Sequence, residues 1–131
     1  MFCKMYTDGG ARGNPGSAAI GVVIYDQDNK IVKKISKAIG IATNNVAEYT
    51  ALIIGLQALQ DLKYTEVEIF LDSELIVKQI TGKYKIKDPK MISLHKKVMQ
   101  FLDLISWTIT HVKRHLNKEA DALVNKALDG L

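Results

Sequence analysis

Residues Tyr6 to Pro15 read YTDGGARGNP, at the end of the apolar run Met1–Tyr6 and before another at Ala18–Tyr25. How this stretch is read decides the fold. Gly9, Gly10, Gly13, Pro15 and Gly16 are residues of chain reversal, so the plain reading is a tight turn between two strands. That leaves Asp8 at the end of the first strand, where it hands over to flexible backbone. The sharper reading is a carboxylate held there for chemistry, beside glycines that admit a large substrate. The rest of the chain chooses between them.

Outward from this turn, 2–7, 18–25 and 31–39 read as three strands, with Asp26-Gln27-Asp28-Asn29 as a polar hairpin turn between the second and third. From Asn45 to about Leu62 the apolar period becomes helical. Leu52, Leu56, Leu59 and Leu62 form one stripe, and Ala47, Ala51, Gly55 and Ala58 form a stripe of small residues that would let the helix approach a sheet closely. A fourth strand, EVEIFL (66–71), is followed by a short helix near 73–81 and an extended GKYKIKD (82–88). Pro89 opens a helix to about Leu102. SWTITH (106–111) is a fifth strand, and Asn117 caps a final helix with the stripe Ala120, Leu123, Val124, Ala127 and Leu128. This order predicts an α/β fold, a mixed sheet covered by helices.

The chain has 131 residues, enough for one domain over 1–131 with a real core. No apolar run reaches the roughly 18 to 20 residues that cross a bilayer. The N-terminus shows no export signal and Cys3 is the lone cysteine, which together point to a cytoplasmic protein. Eighteen basic against 14 acidic residues give a net charge of +4, a balance that favours a polyanion without identifying one. Arg12 and Arg114 are the only arginines.

Asp72 ends the fourth strand as Asp8 ends the first. If these strands are parallel neighbours, their carboxyl ends share the edge where open α/β sheets bind ligands. Singly, each acid has an ordinary use. Asp72 fits a helix N-cap in DSEL, Glu48 a capping box with Asn45, and Asp121 the positive end of a helix dipole. Together, four acids from separate elements at one edge would repel unless divalent cations neutralised them. Oxygen ligands of this kind suit Mg²⁺ or Mn²⁺, and no Cys/His spacing suggests zinc.

TDGGARGNPG, TNNVAEYTAL, FLDSELIVKQI and HVKRHLNKEADALVNKAL, in that order, resemble the signature blocks of type 1 ribonuclease H. The resemblance covers nearly the whole chain. It implies a ribonuclease H-like fold with a five-stranded mixed sheet, its first three strands antiparallel, flanked by helices. It also implies metal-dependent hydrolysis of the RNA strand of RNA–DNA hybrids, leaving 3′-hydroxyl and 5′-phosphate ends. The cofactor would be two Mg²⁺ ions, with Mn²⁺ able to substitute. Asp8 matches the acid that bridges both metals, Glu48 the ligand on the RNA side, Asp72 the second strand-end ligand and Asp121 the helix ligand. By the same resemblance the glycines beside Asp8 let the nucleic-acid backbone pass close.

For substrate binding the resemblance singles out Gly9, Arg12, Asn14, Thr43, Asn44, Asn45, Ser73, Tyr84 and Arg114. Asn14, Asn44 and Asn45 match residues that touch minor-groove edges and ribose hydroxyls, a use that suits an amide's paired donor and acceptor. For Asn45 a plain helix cap is an equal alternative. Thr43 matches a residue holding a phosphate of the DNA strand. His115 matches a mobile loop histidine that assists proton transfer or product release. His111 reads as structural, His95 as part of a solvated helix face and Trp107 as core.

Three departures stand out. Val46 replaces an arginine that many members carry after the asparagine pair. The stretch between the third and fourth acids is compact, with Lys83, Lys85, Lys87 and Lys90 around Tyr84 in place of a long basic protrusion. The pattern is also that of a form without a hybrid-binding domain before Met1. The expected partner is an RNA–DNA hybrid, with double-stranded RNA a possible second substrate; no membrane or obligate protein partner is implied, and the chain would act as a monomer. Two alternatives to the hybrid-specific enzyme remain: a same-fold nuclease that also cuts double-stranded RNA, and a catalytically silent hybrid-binding module. Retention of all four acids argues against the second.

Overall fold

A computed structural model describes all residues, Met1–Leu131. Strands β1 (Phe2–Gly13), β2 (Gly16–Asp26) and β3 (Ile31–Ala42) form an antiparallel meander, followed by helix α1 (Asn44–Asp61). Next come β4 (Glu66–Leu71), α2 (Glu74–Ile80), α3 (Pro89–Leu102), β5 (Ser106–His111), a 3-10 turn at Arg114–Leu116 and α4 (Lys118–Asp129). The sheet runs β3-β2-β1-β4-β5, with β1–β4 and β4–β5 parallel. This is the expected five-stranded mixed sheet.

Two faces of this sheet are covered differently. Met5, Ile20, Val22, Ile24, Val67, Ile69 and Leu71 face the main core with α1, α2 and α3. The stripe Ala47, Ala51, Gly55 and Ala58 is buried as expected. A Cβ at Gly55 would overlap the Met5 thioether, so glycine here lets α1 lie close over β1. The alternate β2 residues carry α4 on the opposite face: Ala19 packs with Val124 and Leu128, and a Cβ at Gly21 would collide with the Ala120 carbonyl.

The structure corrects the reading of the opening stretch. β1 does not end before Asp8; it continues through Gly13, pairing Asp8 with Gly21 and Arg12 with Ser17 on β2. What ends is its parallel partnership with β4, whose last pair is Tyr6 with Phe70. Asp8 therefore stands in a strand, but at the point where the strand outruns its neighbour. Gly13, at φ 94°, makes the turn beyond it. Trp107 packs on the core as expected, whereas His95 is half-buried, edge-on to Tyr49, rather than solvated.

Candidate active site

Register brings the first two acids together. Tyr6 pairs with Phe70, so Asp8 and Asp72, each two residues further on, occupy adjacent positions beyond the last ladder pair. The two helix-borne acids then arrive from opposite faces of the sheet, Glu48 from α1 and Asp121 from α4. Ligand oxygens of Asp8, Glu48 and Asp72 all lie within 4.8 Å of one another. Asp121 joins from the first turn of α4, close enough for its charge to push the Asp8 carboxyl upward. All four line one cavity of about 390 Å³, together with Gly9, Arg12, Asn44, Asn45, Ser73 and Arg114.

Local helix chemistry frees the acids. Glu48 does not close a capping box with Asn45, because the cap of α1 lies two residues before Asn45. Thr43 is its N-cap, with Oγ1 accepting the Val46 N–H at 3.2 Å. Glu48 instead accepts the Gly9 N–H at 2.5 Å. Likewise Ser73, not Asp72, caps α2 by accepting the Ile76 N–H at 3.3 Å. Asn117 occupies the N-cap position of α4 but makes no side-chain cap bond there.

The glycines beside Asp8 also have internal reasons. A Cβ at Gly9 would overlap the Ala47 carbonyl and the Glu48 amide, so glycine is what lets α1 carry Glu48 against β1. At Gly16 a Cβ would overlap the Arg12 carbonyl inside the hairpin.

The asparagines brace the junction between this hairpin and α1. Asn14 Oδ1 accepts the Asn44 N–H at 3.0 Å, and Asn44 Oδ1 accepts the Ala11 N–H at 2.9 Å. With both carbonyls engaged, each side chain has its NH₂ left to offer a ligand. Asn45, exposed, is not a cap. It lines the acidic cavity and also an adjoining groove of about 530 Å³ that holds Asn14, Thr43, Val46, Lys87 and Lys90. Those two lysines stand beside Val46, where many relatives are expected to have arginine.

Other predicted residues are placed less simply. Arg12 is ion-paired with Asp129 at 2.6 Å on the surface. Arg114 is exposed at the cavity wall. Tyr84 lies outside the cavity, its ring under Lys78, which also pairs with Glu74 at 2.7 Å. His115 is not brought to the acids; it lines a separate cleft with Lys4, Tyr6 and Tyr25, because the turn at Arg114–Leu116 sends neighbouring side chains to different sides. Asn125 was missed. It lines the acidic cavity, and its Nδ2 donates to Asp121 at 3.4 Å. Its position one helical turn after Asp121 was the available signal.

Electrostatics mark this cavity. Burial, then the charges of Asp72 and Asp121, push the Asp8 carboxyl up to about 7. Burial, then Asp8 and Asp72, raise Glu48 well above the usual carboxylate range, against the lowering effect of the Gly9 N–H. Such mutual repulsion in an all-oxygen donor set fits a hard divalent cation such as Mg²⁺ or Mn²⁺.

A mixed sheet with acids converging on one edge from both faces defines an α/β protein of the ribonuclease H-like fold. The family described as reverse transcriptase-like matches residues 6–127. Ribonuclease HI of Halobacterium salinarum is 45% identical over 128 residues, 95% of this chain and 63% of that protein. The crystal structure of RNase H1 from the same archaeon superposes with a TM-score of 0.98 at 42% identity, covering 100% of both chains. LC11-RNase H1, solved in complex with an RNA/DNA hybrid, gives 0.93 at 44% identity over 98% of this chain and 97% of that one. The chain belongs to the type 1 ribonuclease H family. It spans between 36% and 63% of the length of the first curated relatives it matches.

Proposed function

We propose that this domain is a metal-dependent endonuclease that hydrolyses the RNA strand of RNA–DNA hybrids, leaving 3′-hydroxyl and 5′-phosphate ends. The observation that carries this reading is the convergence of Asp8, Glu48 and Asp72, with Asp121 beside them, in one cavity of a ribonuclease H-family chain. The hybrid complex of LC11-RNase H1, 44% identical to this chain, supports the substrate.

In this reading Asp8, Glu48, Asp72 and Asp121 would together hold the divalent cations, with Glu48 on the RNA side. When bound, the pair of divalent ions supplies an activated water and charge stabilisation for the departing oxygen of the phosphodiester. The protein's own part is placement. The Gly9 N–H holds Glu48 in one orientation. The free NH₂ groups of Asn14 and Asn44 offer donors to minor-groove acceptors, and Asn45 offers an amide that can both donate to and accept from a 2′-hydroxyl. Arg114 faces the cleaved strand's phosphates, while Thr43, Lys87 and Lys90 line the groove for the second strand.

The test is cleavage of one sequence made as hybrid, RNA duplex and DNA duplex, each with Mg²⁺ and with Mn²⁺. The expected outcome is scission of the RNA strand of the hybrid and none of the DNA duplex. A hybrid left intact with both metals would overturn the proposal, and equal cutting of the RNA duplex would replace it with the broader nuclease.

A further inference from the structure

Asn117 stands between the Arg114–Leu116 turn and α4 and is 1% exposed. At an N-cap, asparagine ordinarily turns its side-chain oxygen onto the first amides of its own helix. This one does not. Its Nδ2 donates to the Thr7 carbonyl at 2.9 Å, across 110 positions of sequence, while its backbone carbonyl accepts the Asp121 N–H at 3.1 Å. Thr7 directly precedes Asp8. One buried residue thus reaches the strand beside one acid with its side chain and the second acid with its main chain.

Stability alone would favour the cap. Asn117 Oδ1 and Thr7 Oγ1 are both buried without a partner, a cost that native structures seldom accept without a use. Elsewhere α4 is held sideways, by the Ser36 hydroxyl donating to the Leu123 carbonyl and by the close approach at Gly21. At its far end the exposed Arg12–Asp129 pair joins it to β1. The hydrogen bond from Asn117 is the buried one joining the acid-bearing end of α4 to β1.

Resting on the reading of Asp8 and Asp121 as ligands of one metal centre, we infer that Asn117 is a positioning residue. It sets the spacing of Asp121 from Asp8 and thereby the site's affinity for divalent cations. Outer contacts of this kind are worth roughly 10- to 100-fold in metal affinity or activity. The experiment measures Mn²⁺ binding by calorimetry, and kcat and KM on a hybrid, well below the unfolding midpoint. Wild type is compared with Asn117→Ala and with Val98→Ala, a buried residue of α3 that serves as a matched loss of stability. Asn117→Ala is expected to raise the Mn²⁺ Kd by about 10- to 100-fold and to lower kcat with little change in KM. Val98→Ala should lower only thermal stability. If Asn117→Ala keeps wild-type Mn²⁺ affinity and kcat, with a lower Tm its only change, the inference is overturned. Should that variant fail to fold, Asn117→Ser, whose hydroxyl is too short to span to Thr7, is read by the same criteria. Wild type that binds no Mn²⁺ overturns the metal reading along with this inference; wild type that binds it beside an unchanged variant overturns this inference alone.

Discussion

Because Asp8 titrates near 7 and Glu48 is also raised, the metal-free protein holds protons in its site that the unfolded chain has already released. The unfolded Asp8 ionises near 3.8, so between about pH 4 and 7 the folded state binds more protons. Stability contributed by the protonated acids is therefore full at the acid end and lost as pH rises through that window. In EDTA, Asp8→Asn should melt above wild type at pH 8 and show a flatter dependence on pH, and Mg²⁺ should close the gap by stabilising wild type. Wild type melting higher than the variant at pH 8 in EDTA would mean that the acids do not repel as their burial implies. The same substitution should reduce cleavage by more than the roughly 100-fold that outer contacts cost, since it removes the central charge of the site. Near-normal turnover, with circular dichroism matching wild type, would remove Asp8 from the mechanism.

The elements meet through glycine. α1 approaches β1 at Gly9 and Gly55, and α4 approaches β2 at Gly21, each at a distance that leaves no room for a methyl. At Gly21 the obstacles are the Ala120 carbonyl and the Leu123 side chain, on the helix that carries Asp121. Gly21→Ala should push α4 outward and destabilise by about 1–3 kcal/mol, the usual cost of overpacking. Denaturant unfolding measures this directly, and a loss below about 0.5 kcal/mol would show that the helix moves freely on the sheet. These close approaches explain why a small-residue stripe was readable in α1, where it repeats at helical spacing. A lone glycine within the apolar run of β2 carried no such signal.

Across the whole molecule the net charge is +4, but few cations lie where, in the proposed reading, a duplex would cross the acids. Arg114 borders the acidic cavity, and Lys87 and Lys90 border the adjoining groove. Arg12 is engaged with Asp129, though both are exposed and such a surface pair is worth little, so a phosphate can displace it. About three to five phosphate contacts, at roughly −0.9 per contact, predict that log K for a hybrid falls with log salt at a slope between about −2.7 and −4.5. Titration across salt concentrations by fluorescence anisotropy checks this. A slope near −10 would require a larger basic surface than these residues supply.

Much of this architecture was legible along the chain, because helix and strand periods and the acids at element ends are written by near neighbours. The same local logic offered several possible caps and named one, Asn117, that makes no cap bond. Asn45, Asp72 and Asn117 all belong to residue types that cap helices, but Thr43 and Ser73 make the cap bonds while Asn117 bonds to β1. Cap chemistry is common to Ser, Thr, Asp and Asn, so sequence names the candidates and backbone geometry selects among them. Which acids stand together was settled at longer range. The parallel register of β1 and β4 sets Asp8 beside Asp72, and helices on opposite faces deliver Glu48 and Asp121. His115 follows Arg114 in sequence yet lines another cleft, since one residue of turn is enough to change the side a side chain faces. Residue types and periods were thus determined by the sequence itself, whereas the meeting of groups as far apart along the chain as Asp8 and Asp121 was decided by sheet register and helix packing, which no local pattern encodes.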